Sequence, residues 1–185
     1  MSELGKPRIA VSNQRIAVCP GSFDPVTLGH VDIIQRASAI FDKVIVLVSI
    51  NPTKEPMFSP EERVEMIKTV TKNLPNVEVE TYGGLLADFV KSKGATAIVK
   101  GLRAVSDFEY EFQMALANKK LCPEAETIFL VTRSENMYLS SSVVKQIAYF
   151  NGDISDFVPA EIKDRIAARI TSLNADTSTN EGVED

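Results

Sequence analysis

The chain has 185 residues, 44% of them hydrophobic, which suits one well-buried domain and is short for two. Its formal net charge is -5, and the last fifteen residues, holding Asp176, Glu181, Glu184 and Asp185 with no Lys or Arg, account for most of it. The remaining body is nearly balanced, so the basic excess of a general nucleic-acid surface is missing. Cys19 and Cys122 are the only cysteines and His30 the only histidine, which excludes a disulfide framework, a CxxC motif and a histidine-rich metal centre. No run approaches the roughly 18 apolar residues of a membrane span, and the N-terminus lacks the apolar core of a secretion signal. The expectation is a cytoplasmic protein with no membrane and no nucleic-acid partner.

Residues 1–14 read as an extension ahead of the first strand, with Arg8-Ile9-Ala10-Val11 echoed at Arg15-Ile16-Ala17-Val18. Ile16 to Cys19 reads as a buried strand, and Val31, Ile34, Ala37 and Phe41, with Ile33 and Ile40, give the apolar face of a following helix. Between them runs Pro20-Gly21-Ser22-Phe23-Asp24-Pro25-Val26-Thr27-Leu28-Gly29-His30. Gly29 falls at the helix mouth, where a missing Cβ lets a ligand approach and the first-turn amides point outward with partial positive charge. His30 stands in that field, which favours its neutral form and suits it to donating a hydrogen bond.

Val44 to Ser49 reads as the second strand, followed by Asn51-Pro52-Thr53-Lys54, and Ser59-Pro60-Glu61-Glu62 is a capping box with Pro at the first helical position. Val77 to Thr81, Ala97 to Lys100 and Thr127 to Val131 are further short strands, with Gly94 and Gly152 as helix stops. Phe108, Phe112, Ala115 and Leu116 form one helical stripe, and Ile162, Ile166 and Ile170 another; both read as core. Ser140-Ser141-Ser142 precedes the apolar helical face of Val143, Val144, Ile147 and Ala148, so hydroxyls and first-turn amides there can hold phosphate oxygens. Residues 15–172 form the domain, and 173–185 read as a disordered acidic tail.

Strands alternating with helices are the rhythm of a parallel sheet covered on both faces. In such a sheet the strand C-termini share one edge, where ligands bind at the point at which strand order reverses. Ser22 to His30, Lys54, Leu86, Gly101-Leu102-Arg103 and the triple serine each follow a strand, so they converge on one cleft.

The string PGSFDPVTLGH carries the second half of the T/HxGH signature of the nucleotidyltransferase superfamily and resembles the phosphopantetheine adenylyltransferase family. Lys100-Gly101-Leu102-Arg103 with Asp107-Phe108-Glu109-Tyr110-Glu111 resembles that family's RGLR…DFEYE block, and Tyr138 to Val144 its ISSSxV signature. Thr27 replaces the first histidine of HxGH; its hydroxyl can still bond a phosphate but adds no charge. Lys100 stands where many relatives have Arg, and Asn136 where many have an aromatic residue.

The resemblance implies a single doubly wound, Rossmann-like α/β domain with a five-stranded parallel sheet in the order 3-2-1-4-5. It implies transfer of AMP from ATP to 4′-phosphopantetheine, giving dephospho-coenzyme A and pyrophosphate. His30, Lys54 and Arg103 would be catalytic. Ser22, Phe23, His30, Gly101, Leu102, Arg103, Glu111, Asn136, Met137, Tyr138, Leu139, Ser140, Ser141 and Ser142 would bind ATP. Ser22, Lys54, Leu86 and Lys100 would bind the pantetheine substrate. Mg2+ would be held through substrate phosphates with no protein metal site, coenzyme A would inhibit, and the chain would form a homohexamer. Rival readings are a nicotinamide or nicotinate mononucleotide adenylyltransferase, a glycerol-3-phosphate cytidylyltransferase, and a non-catalytic ATP-binding module.

Overall fold

The computed structural model describes residues 14–50 and 55–180. Most of the N-terminal extension, the Asn51–Lys54 stretch and residues 181–185 lie outside the described residues. The chain runs β1 (Ile16–Gly21), α1 (Leu28–Ile40), β2 (Lys43–Ser49), α2 (Pro60–Val70), β3 (Val77–Tyr82), α3 (Leu86–Ser92), β4 (Ala97–Leu102), α4 (Val105–Leu121), β5 (Glu126–Val131), α5 (Ser141–Tyr149) and α6 (Ala160–Asn180). Its five strands form one sheet ordered β3-β2-β1-β4-β5, and all four pairings are parallel.

Strand alternation divides the core between the two faces. Ala17 and Cys19 of β1 and Ala97 and Val99 of β4 pack with α1, α2, α5 and α6, whereas Val18 and Ile98 pack with α3 and Cys122 on the other side. β2, between β3 and β1, is buried on both faces, from Val44 to Val48, as its continuous apolar run demands. The Ile162, Ile166 and Ile170 stripe is core as expected.

Four features differ from the sequence expectations. The α4 stripe is not core: Phe108, Phe112 and Leu116 are exposed, and Asn118 is the one buried residue among that helix's described side chains. Periodicity detects an apolar stripe but not whether the same chain covers it. On α1, Ile40 is 46% exposed, at the last position before the chain turns towards β2. At the end of α5 the left-handed residue is Asn151 (φ 57°) instead of Gly152, whose absent Cβ avoids Ile147 Cγ2 at 2.6 Å. The α6 helix continues to Asn180, past the boundary expected at Ser172, because each added residue gains a backbone hydrogen bond once a helix is nucleated.

Candidate active site

The carboxyl edge of the sheet opens into a cleft of about 1360 Å³. That exceeds the usual volume for one small ligand, about 300–1,000 Å³, and leaves room for two substrates. Ser22, Phe23, His30, Leu86, Lys100, Gly101, Arg103, Glu111, Asn136, Leu139, Ser140, Ser141 and Ser142 all line it. Leu102, Met137 and Tyr138 do not; Tyr138 instead packs edge-on to Phe157. Lys54 lies outside the described residues.

The first loop turns sharply at Phe23 (φ 50°), whose buried ring meets the His30 imidazole edge-on at 5.1 Å. Thr27 caps α1, and the cap is reciprocal. The Thr27 hydroxyl accepts from the His30 amide at 3.4 Å, while the Thr27 amide donates to His30 Nδ1 at 3.0 Å. A backbone N–H can only donate, so Nδ1 is the acceptor and the neutral ring carries its proton on Nε2. Burial, then the charge of Arg103, pushes the imidazole pKa down to about 4. His30 is thereby a neutral Nε2–H donor at the cleft wall. Thr27 also lines the cleft, and its buried hydroxyl and its amide both bond His30, so it serves as the cap of α1. Within the first turn of α1, the Leu28 amide donates to Phe157 O, leaving the Gly29 amide without a protein partner among the described residues.

A second helix N-terminus meets the cleft from α5. Ser140 is its cap, accepting from the Val143 amide at 3.1 Å, and the Ser141 hydroxyl donates to Pro25 O at 2.8 Å. The Ser141 and Ser142 amides and the exposed Ser142 hydroxyl have no protein partner among the described residues. The α1 and α5 termini are therefore locked at a fixed separation through the first loop, each with unsatisfied donors suited to an anion.

The cations of the cleft are pre-oriented. Arg103 gives Nε and Nη2 to Asp107 at 3.1 and 3.4 Å and Nη1 to Leu139 O at 2.8 Å, leaving two N–H groups for a ligand. Lys100 pairs with Glu111 at 3.2 Å, joining two residues that the family resemblance assigned to different substrates. Gly101 also serves a purpose other than ligand approach: a Cβ there would meet Ile33 Cγ1 at 2.9 Å, so it seats α1 against β4. Gly29 is the opposite case, its nearest neighbours being 3.7 Å away, which keeps the cleft mouth open.

Several supports escaped the sequence reading. Asp24, nearly fully buried, accepts from the Met57 and Phe58 amides and pairs with Lys145 at 2.9 Å. Asp32, also buried, pairs with Arg133 at 2.9 Å and Arg36 at 3.2 Å, tying α1 to the chain leaving β5. Arg63 lies in the cleft wall beneath the first loop, with Nη1 donating to Ser22 O at 2.9 Å. Each joins segments far apart in sequence, a relation that no local pattern reveals. Only Asp32, set between Val31 and Ile33, carried a local signal, a charged residue inside an apolar run.

A family model for cytidylyltransferase-like proteins matches residues 18–147. The chain is 59% identical over 152 residues to the phosphopantetheine adenylyltransferase of Caldanaerobacter subterraneus subsp. tengcongensis, covering 82% of this chain and 95% of that one. It is 56% identical over 154 residues to the protein of the same description from Heliobacterium modesticaldum, covering 83% and 92%. Among solved structures, a putative nicotinate-nucleotide adenylyltransferase from Vibrio parahaemolyticus superposes with a TM-score of 0.62 at 19% identity, covering 83% of this chain and 98% of that one. At that identity the likeness is one of fold.

Proposed function

Because the chain belongs to the phosphopantetheine adenylyltransferases, we propose that its cleft joins ATP to 4′-phosphopantetheine by in-line adenylyl transfer, releasing pyrophosphate and dephospho-coenzyme A. The observation that carries the mechanism is the reciprocal Thr27–His30 cap, which holds Nδ1 as an acceptor and leaves Nε2–H to donate. In this reading the acceptor's phosphate oxygen attacks the α-phosphorus, and the bond to the pyrophosphate oxygen breaks. No covalent enzyme intermediate is needed. Charge growing on the α-phosphate oxygens is met by His30 Nε2–H, the two remaining N–H groups of Arg103, and the open amides of α1 and α5. A neutral donor suits this role because it strengthens its bond as charge develops and retains its proton afterwards.

Nucleotide binding on the β4–β5 side is supported by Arg103, Asn136 and the α5 N-terminus lining that wall. Acceptor binding on the β2 side is supported by Ser22 and Leu86, with Lys54 as the expected bridge between the two sets of phosphates. Magnesium would supply neutralisation of phosphate charge. Of the cleft's acidic groups, Asp24, Asp107 and Glu111 are each committed to a lysine or arginine and Glu55 stands apart from them, and no cluster of acidic, His or Cys groups that could hold a metal occurs among the described residues. The ion would therefore ride on phosphate oxygens and water. Coenzyme A, carrying the product's pantetheine and adenine ends, would compete for the same cleft. Association of subunits, in the expected homohexamer, is supported by the uncovered apolar stripe of α4. No helix of the described residues is long and apolar enough to cross a membrane.

The test is pyrophosphate release from ATP and magnesium with each candidate acceptor, followed by His30→Gln. Glutamine at this position can keep the acceptor half of the cap but moves the donor from its place. We expect 4′-phosphopantetheine to be the preferred acceptor, and the single-turnover rate of the variant to fall by about 100-fold or more with ATP affinity nearly unchanged. Near-normal turnover in the folded variant would refute the role of His30. Preference for nicotinamide mononucleotide, or for glycerol 3-phosphate with CTP, would refute the substrate.

A further inference from the structure

Three of the cleft's described cations have a carboxylate partner: Lys100 has Glu111, Arg103 has Asp107 and Lys145 has Asp24. The fourth, Arg63, does not, and it is the most deeply buried of the four at 3% exposure. Its Nη1 donates to Ser22 O at 2.9 Å and its Nε to Ser59 O at 3.3 Å, while Nη2 has no protein partner among the described residues. Glu61, on the exposed side of the same helix, feels the charge of Arg63 but forms no close ion pair with it. Two carbonyl dipoles position the guanidinium but give it no contacting carboxylate, and a buried charge without a close counter-ion is costly. A planar fork with free N–H groups in a cleft wall is matched to a phosphate, which would supply the missing charge when it enters.

The position of Arg63 says which phosphate. It stands on α2, which follows β2, and is bonded to the loop that follows β1; Arg103 and the α5 N-terminus stand on the other flank of β1, with β4 and β5. We propose that Arg63 is a phosphate-binding residue of the acceptor subsite, recognising the phosphate monoester of the acceptor rather than the nucleotide's triphosphate. This rests on the reading above, in which the nucleotide occupies the β4–β5 side. It also gives Ser22 a second function, since its carbonyl holds the fork that the acceptor meets.

The test uses the full chain and two ligands that differ only in the phosphate: 4′-phosphopantetheine and pantetheine, each titrated calorimetrically, with ATP titrated separately. The quantity read is the ratio of the pantetheine Kd to the 4′-phosphopantetheine Kd. In Arg63→Gln this ratio should shrink by about tenfold or more, the worth of one charge-assisted contact, with ATP affinity unchanged. In Arg63→Lys, which keeps the charge and loses the fork, it should shrink by about threefold. An unchanged ratio in either folded variant overturns the proposal, so a glutamine chain that does not fold leaves the lysine chain to decide. Equal weakening of both pantetheine ligands would make Arg63 a support of the loop only, and weakening of ATP alone would assign it to the nucleotide; both overturn the proposal. If the unaltered protein shows no preference for the phosphorylated ligand, the acceptor reading itself has failed.

Discussion

His30 is the only imidazole in the chain, so its protonation can be followed without assignment. Its pKa falls from the ordinary 6.5 to about 4, first through burial and then through Arg103. A histidine whose folded pKa is depressed favours folding while it is neutral. Between pH 6.5 and 4 the unfolded chain takes up the proton and the folded chain does not, so stability is fully present above the unfolded pKa and is lost as pH falls towards the folded one. The full loss is on the order of 3 kcal/mol, a large share of the roughly 5–15 kcal/mol that a domain of this kind holds.

Two measurements check this. The imidazole Cε1 proton, followed by NMR from pH 8 to 3.5, should titrate near 4, with nitrogen shifts that place the proton on Nε2 in the neutral ring. Urea midpoints over the same range should slope downward between pH 6.5 and 4, and the slope should flatten in His30→Gln. Arg103→Met should raise the His30 pKa but keep it below 6.5, because burial is the first cause and Arg103 the second. Asp42, drawn to about 2 by hydrogen bonds from Arg15, and Asp153, drawn to about 2 first by the Ser155 hydroxyl, destabilise on protonation below their ordinary 3.8, outside this window. A titration at or above 6.5, or a neutral ring protonated on Nδ1, would refute both the cap and the donor built on it.

The two cleft glycines should respond in opposite ways. Gly29→Ala should leave the melting temperature unchanged or higher, since Ala is the better helix former and meets nothing closer than 3.7 Å, yet should lower kcat/KM by narrowing the mouth beside Asn136. Gly101→Ala forces a methyl against Ile33 and should cost about 1–3 kcal/mol in urea unfolding; equal effects from the two would contradict their assigned functions. The exposed α4 stripe predicts that Phe112→Glu with Leu116→Glu lowers the mass measured by light scattering while the far-ultraviolet circular dichroism stays unchanged. An assembly of the same size in that variant would mean that subunits do not meet through α4.

The sheet was legible because its strands announce themselves. Five apolar runs separated by helical periods leave few topologies, and all five observed strands fall on them within three residues at either end. The cleft followed, since every parallel strand points its C-terminus at the same edge. What stayed hidden was whatever depends on partners. The α4 stripe has the same period whether it faces the sheet or another surface, so the sequence pattern assigns it to a core that this chain does not provide. Thr27 reads as a ligand hydroxyl in a strand-to-helix loop, yet three residues from His30 it is also a cap position. The cap forms because a buried hydroxyl and amide at a helix start must be satisfied whether or not a ligand is present.

The same reasoning orders the remaining cleft residues. Apart from the exposed Glu55, the acidic groups of the cleft are Asp24, Asp107 and Glu111, which would oppose an anionic ligand if they faced it unpaired. Each instead holds a lysine or arginine by a contact of 2.9 to 3.2 Å. The pairing fixes long flexible side chains in advance, so that less conformational entropy is lost when a phosphate arrives. It also dilutes the attraction, because every paired cation brings a negative charge with it. A site made only of such pairs would be well ordered and weakly attractive. Its net pull on phosphates must therefore come from donors that bring no negative charge: the amides of the α1 and α5 termini, the neutral Nε2–H of His30, and cations left unpaired, of which Arg63 is the one among the described residues of the cleft.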